Sequence, residues 1–452
     1  MTREHRRPID RGRTVPTGSA DRPGGPTNDR ERSSGRSVLS LVNFRLLLGA
    51  QLLGGTGMWM VRMSTDWLVL ELTGSSAAVG VLVALQFLPM LVVGPFGGLL
   101  ADRYDKRRLV EVAQVANAVL AAVLAVLTLT GVVAVWHLYV VAVLLGVVAS
   151  VDQPSRQVLV SEIVGDQGLQ KAVSTMNAIG QAGGLLGPAA AGFVIAHWGE
   201  GWAFTVNGVV ALCVVAIVAS MRTRELHPAP RVPRARGQVR EGIRYVLDRP
   251  RLAWVIALAG LMGALGMNGP VVLTAFAQDV WHTGAAGFGL YNAVSAAGAF
   301  VGVVLGGRFL RLRTRNVVVA SGLFAVTEAL AALSPTHAVF LVMLAVVGGA
   351  TLLFLMAANT LVQLTADQPV RGRVLALYSP LLLGGHALGG LLQGWLTEWL
   401  GVRAGLVVTG ALALVATAFV ATALAQVGHL RPALRRHPWP FAIVPRDAPE
   451  PS

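Results

Sequence analysis

A chain whose apolar residues come in runs of about twenty cannot be an ordinary soluble globule, because such a run matches the ~30 Å hydrocarbon core of a bilayer. Twelve runs of this kind can be read, at 44–72, 77–101, 109–130, 136–157, 169–196, 202–221, 252–278, 287–307, 317–333, 337–363, 374–400 and 404–425. Within lipid every backbone N–H and C=O must be satisfied inside its own segment, so the runs are predicted to be helices. The alternation of a membrane barrel is absent. Composition agrees: the 452 residues are 54% hydrophobic and 13% charged, with 52 glycines that suit close helix packing.

Orientation follows from the cations, since Lys- and Arg-rich loops stay on the cytoplasmic side. All of the 37 Lys and Arg except Arg62 and Arg403 fall in the tails and in alternate loops, which predicts both termini cytoplasmic. The opposite loops, such as "ELTGSS" and "SPTH", carry none. The net charge of +14 is thereby explained by topology, and no nucleic-acid partner is needed. Cys213 is the single cysteine and can form no internal disulfide.

The chain reads as built twice. Gly183/Gly385, Gly187/Gly389, Gly192/Gly394, Gly199/Gly401 and Gly208/Gly410 recur at one constant offset. Between the halves lies a Pro- and Arg-rich stretch with room for a short amphipathic helix. The expected organisation is a disordered tail (1–40), a six-helix bundle (41–225), a cytoplasmic linker (226–250), a second six-helix bundle (251–426) and a cytoplasmic tail (427–452). The fold class is therefore an all-α membrane protein of twelve transmembrane helices in two six-helix pseudo-repeat bundles. Duplicated halves around a midplane site are a recurring solution to alternating access.

The turn "GGLLADRYDKRR" places six charges in its last seven positions, more than topology requires. Its Gly98, Asp102, Arg103, Lys106 and Arg107 match G-x-x-x-D-[RK]-x-G-[RK]-[RK], and the chain resembles a major facilitator superfamily transporter on these residues. The family's second glycine is replaced by Asp105, and the equivalent turn of the second half has Leu310 at the carboxylate position. In the fifth span Gly183, Gly187, Pro188 and Gly192 are similar to the superfamily's antiporter motif, with departures at Ser174 and Ala191. "VDQPSRQVLVSEIV" and "FRLLLGAQLL" resemble the drug:proton antiporter branch that holds macrolide-efflux and enterobactin-exporter-type proteins. The resemblance implies export of a small molecule, and a conformational latch at the charged turn that closes the cytoplasmic side. Asp152 and Arg156, one helical turn apart, either extend that charge network or form a local pair.

An ionisable group inside a span is costly and is a functional candidate. Asp66, one turn from Arg62, is the first candidate for proton coupling, the alternative being an ion pair at the outer rim. Glu328 is the second, the alternative being a structural role. Asn268, Asn359 and Gln363 lie on spans that the resemblance implies line the substrate cavity, and His386 is a further titratable residue within a span. The chain carries no Walker A, HExxH, CxxC or GxSxG pattern, so no enzyme activity, cofactor or metal is expected. The sequence thus points to a monomeric, multi-pass cell-membrane protein that exports a small amphipathic compound, a drug, antibiotic or siderophore-like molecule, by proton antiport. The alternatives are a non-transporting sensor or scaffold on the same fold, or a lipid or uptake transporter.

Overall fold

Two polar residues show how the long apolar runs are cut into separate helices. Ser75 accepts a hydrogen bond from the Ala78 N–H at 3.2 Å and starts the second helix, and Asp105 accepts from the Arg108 N–H at 3.0 Å and starts the third. Asp105, which stands where the superfamily pattern has glycine, is thus an N-cap. The computed structural model describes residues 38–165, 168–225, 238–309, 314–367, 370–427, 430–434 and 441–445. Within these, the burial of Gly98 and the side chain of Asp102 are not described, and Leu310, residues 1–37 of the expected tail and residues 226–237 of the linker lie outside the described residues.

The helices are α1 (Val42–Thr73), α2 (Ser76–Arg103), α3 (Lys106–Leu129), α4 (Val135–Val164), α5 (Leu169–Trp198), α6 (Glu200–Ala219), α7 (Gln238–Leu247), α8 (Pro250–Leu265), α9 (Gly269–Ala275), α10 (Gly284–Phe309), α11 (Thr314–Ala332), α12 (His337–Thr365), α13 (Arg371–Leu400) and α14 (Val402–Val427). Among the described residues ten segments are long and apolar enough to cross a membrane, with α8 and α9 counted as parts of one. The helices α1 and α10, of 32 and 26 residues, also have the length to span. In the C-terminal tail one antiparallel ribbon pairs β1 (Leu430–Leu434) with β2 (Phe441–Pro445).

The expected seventh span is not one helix. It breaks at Gly266–Asn268 and resumes at Gly269, then ends in a five-residue π-helical turn, Phe276–Val280. Pro270 lacks an N–H and its neighbour Gly269 stabilises a helix poorly, so the run cannot continue as a regular ladder.

The repeated glycines do equivalent work in both halves. Gly183 meets the backbone of Gly55, and Gly385 meets the Gly260 carbonyl, so α5 lies on α1 as α13 lies on α8. Gly192 touches Gly289 of α10, and Gly394 touches Ser76 and Gly80 of α2, so each half sends one helix across to the other. Gly199 and Gly401, at φ +88° and +82°, turn the chain between paired helices in a conformation that L side chains rarely adopt. A mixed apolar cluster seals the same end of the bundle. There Met60, Trp67 and Ile195 of the first half pack with Phe276, Phe288 and Leu406 of the second, and the Ser75 hydroxyl donates to Glu398 at 2.6 Å.

At the opposite end, which carries the basic loops, the short amphipathic helix α7 belongs to the second half. Its Glu241 pairs with Arg373 at 2.6 Å, and the Tyr245 hydroxyl accepts from the Asp367 N–H at 2.9 Å. Arg249 stacks on Tyr245 at 3.7 Å and pairs with Asp367 at 2.8 Å.

Candidate functional site

The packing that closes one end of the bundle leaves a cavity of about 470 Å³ toward the basic end. It runs from Arg62 of α1 and Gln86 of α2, past Gln114 and Asn117 of α3, to Asp152, Arg156 and Gln157 of α4 and Asn177 of α5. Among the described residues, Asn359 of α12 is the one lining residue from the second half. Side-chain amides mingle with Met58, Val61, Leu145, Val160 and Met176, and among the described residues no aromatic ring lines the space. Such a wall offers many hydrogen bonds on an aliphatic background and suits a small amphipathic molecule.

Several residues singled out from the sequence meet here. Arg156 pairs with Asp152 at 2.8 Å, and Gln114 donates to the same carboxylate at 3.3 Å. Gly54 makes room for that guanidinium, since a Cβ there would lie 3.3 Å from Arg156 Nη2. Asp152 Oδ1, Arg156 Nη1 and Gln114 Oε1 are buried without a hydrogen-bond partner. Asn359 accepts from Gln363 at 2.6 Å. Gln363 itself does not line the cavity, and neither does Asn268, which is buried and donates to the Ala264 carbonyl at 3.1 Å.

Arg62, half-buried, and Asp66, buried, lie at the inner end, but they form no salt bridge with each other. The Arg62 guanidinium instead lies over the rings of Phe87 (4.7 Å) and Trp59 (5.8 Å). Asp66, 2% exposed, accepts a hydrogen bond from Gln86 Nε2 at 3.1 Å. His386 of α13 stands against the other side of Phe87, with ring centroids 5.3 Å apart. Glu328 is away from this cavity. It is buried beside the helix break, where a Cβ on Gly266 would lie 3.1 Å from its Oε2, and that oxygen has no hydrogen-bond partner.

The charged turn between α2 and α3 is tied to its own half. Lys106 pairs with Glu162 of α4 at 3.2 Å. Arg107 pairs with Glu111 at 3.0 Å and donates to the Val218 and Ala219 carbonyls, which close the C-terminus of α6. Arg103 is exposed. Among the described residues no ion pair joins the two halves at this end, so Lys106 and Arg107 are not engaged across the halves in this conformer. Pro188, of the antiporter-like stretch, lies within α5, and its carbonyl faces Gly289.

Sequence reasoning did not single out Gln51, Gln86, Gln114, Asn117, Gln157 and Asn177. The signal was present, since an amide inside an apolar run is as conspicuous as Asn359. Which helix face points inward is what the runs do not reveal.

Duplicated helical halves, sealed together at one end around a polar-lined cavity open toward the other, define a membrane transporter of small molecules. The family model described as "Transmembrane secretion effector" matches residues 33–444, and the chain belongs to that family of the major facilitator superfamily. It is 27% identical to the multidrug efflux pump Tap of Mycolicibacterium fortuitum, covering 79% of this chain and 90% of that protein. It is 23% identical to the enterobactin exporter EntS of Shigella flexneri, over 78% and 84% of the two chains. The fold is similar to that of a bacterial homologue of the human lysosomal transporter Spinster, solved in an inward-facing conformation, at a TM-score of 0.69 and 15% identity, over 86% of this chain and 98% of that one.

Proposed function

We propose that this transporter exports a small amphipathic organic compound, a drug, antibiotic or siderophore-like molecule, in exchange for protons. It works as a monomer with both termini and the basic end in the cytoplasm. The reading rests on one observation above all: a cavity of mixed amide and aliphatic lining ends at Arg62 and Gln86, and Gln86 donates to a buried acid, Asp66, one helical turn from Arg62. An acid in that position can hold a proton in one conformer and release it in the other, so proton flow can drive cargo uphill.

In this account the present form takes up cargo from the cytoplasm through the basic end. Reclosure of that end brings the turn from Gly98 to Arg107 into use as a latch, with Asp102 as its carboxylate. Release of cargo and loading of a proton at the outer side, then return to the present form and release of the proton to the cytoplasm, complete the cycle. The names of Tap and EntS, a multidrug pump and an enterobactin exporter, support export and the cargo range. Glu328, buried without a cationic partner, is the second proton-carrying candidate. Asn359 is the residue through which the second half touches cargo.

Purified protein in proteoliposomes carrying an internal pH-sensitive dye tests the proposal against a panel of antibiotics and catecholate siderophores. Cargo-dependent proton movement, opposite in direction to cargo, is expected for at least one compound. Cargo movement in the same direction as protons would replace export by uptake, and no proton movement with any transported compound would remove the antiport.

A further inference from the structure

The Gln86 side chain touches both Asp66 and the cavity. Gln86 lines the cavity and is 6% exposed, while Asp66 does not line it. The Gln86 amide donates through Nε2 to Asp66 Oδ1 at 3.1 Å, and the two residues lie on different helices, α2 and α1. The charged or titratable groups around the acid are Arg62 on its own helix, His386 of α13 beyond Phe87, and Tyr139 of α4, whose hydroxyl is engaged with the Ala78 carbonyl. Val141 and Ala142 of α4 and Val271 of α9, in the cluster packed around this part of α1, are uncharged.

An amide has a donor end and an acceptor end, and an ionised carboxylate accepts only. Asp66 as a carboxylate therefore fixes Nε2 toward itself and leaves the Gln86 Oε1 acceptor for the cavity wall. A protonated Asp66 brings a hydroxyl donor, which releases the amide to turn and give Oε1 to the acid and Nε2 to the wall. Proton loading then exchanges an acceptor for a donor at a fixed point of the cavity.

We propose that Gln86 is the positioning residue that transmits the protonation state of Asp66 to the cargo cavity, by presenting an acceptor when Asp66 is ionised and a donor when it is protonated. A cargo N–H, which cannot accept in turn, binds the ionised form when placed at this point and is repelled by the protonated one, so proton and cargo exclude each other as antiport requires. The cost of facing a buried donor with another donor sets the scale at roughly a fivefold to hundredfold preference. The inference rests on the reading of Asp66 as the coupling acid and assigns a role to a residue outside it.

The test is pH-difference infrared spectroscopy on the full-length protein in lipid, with the Asp66 carboxyl band identified by its loss in Asp66→Asn. Gln86→Met removes the amide at similar length. With the donor to the carboxylate gone, the band should titrate at a higher pH, by about one pH unit or more. Where Gln86→Met does not fold, Gln86→Asn, one methylene too short to hold the contact, should move the band in the same direction. An unmoved or downward-shifted titration in a folded variant overturns the role of Gln86. If Asp66→Asn removes no titrating band, Asp66 itself is not the coupling acid, and the inference falls with that reading.

Discussion

Gly192 of α5 and Gly289 of α10 meet backbone to backbone across the two halves. A Cβ added at Gly192 would lie 2.7 Å from the Gly289 Cα, and one added at Gly289 would lie 2.8 Å from the Gly192 Cα. Each is therefore a point where the halves can close only because no side chain is present. Gly192→Val should destabilise this conformer by about 1–3 kcal/mol and shift the population toward one parted at this end by roughly tenfold. Cysteine labelling with a membrane-impermeant maleimide at Ser75, on a Cys213→Ser background, should rise accordingly. Unchanged labelling would mean that α5 and α10 do not separate in the cycle.

The turns at Gly199 and Gly401 make a separate prediction about stability. Both combine positive φ with ψ near 180° (172° and 161°), a region open essentially to glycine. Gly199→Ala and Gly401→Ala should each cost about 1–3 kcal/mol and lower the thermal midpoint in detergent. Gly269→Ala, where a Cβ meets nothing within 4 Å, should leave it unchanged.

Within the charged turn, two residues should fail in different ways. Arg107 donates to the Val218 and Ala219 carbonyls, so Arg107→Ala should lower stability by about 1–2 kcal/mol, the scale of two partly exposed hydrogen bonds. Asp102→Asn should fold normally and bind cargo yet transport slowly, if its carboxylate serves the opposite conformer. Equal thermal loss from both would reduce the turn to a structural clamp.

How much of this was legible in the sequence depends on what each residue has to meet. The glycine pairs at a constant offset announced the duplication, because close backbone approach leaves glycine little substitute. The break at Gly266–Asn268 was hidden inside an apolar run, although "GMNGP" contains the glycines and the proline that cause it. Arg62 beside Asp66 suggested a direct pair. Tertiary packing instead supplied Phe87 and Gln86 from α2, which no spacing within α1 could reveal. The amides of the cavity were invisible as a group for the same reason: they come from separate helices and share one space only after folding.

Topology is tested by reporters active only in the cytoplasm. Fusion near Pro233, in the linker, should give activity, and fusion at Gly199 should give none. The reverse would invert the cavity's opening and turn the proposed export into uptake.

The central claim, that a membrane carboxylate couples export to protons, is tested most directly by Asp66→Asn in inverted membrane vesicles under an imposed proton gradient. The account predicts that the variant binds cargo and equilibrates it downhill but no longer concentrates it inside the vesicles, while Glu328→Gln measures the contribution of the second acid. Asp66→Asn vesicles that still accumulate cargo against its gradient, together with a silent Glu328→Gln, would contradict it.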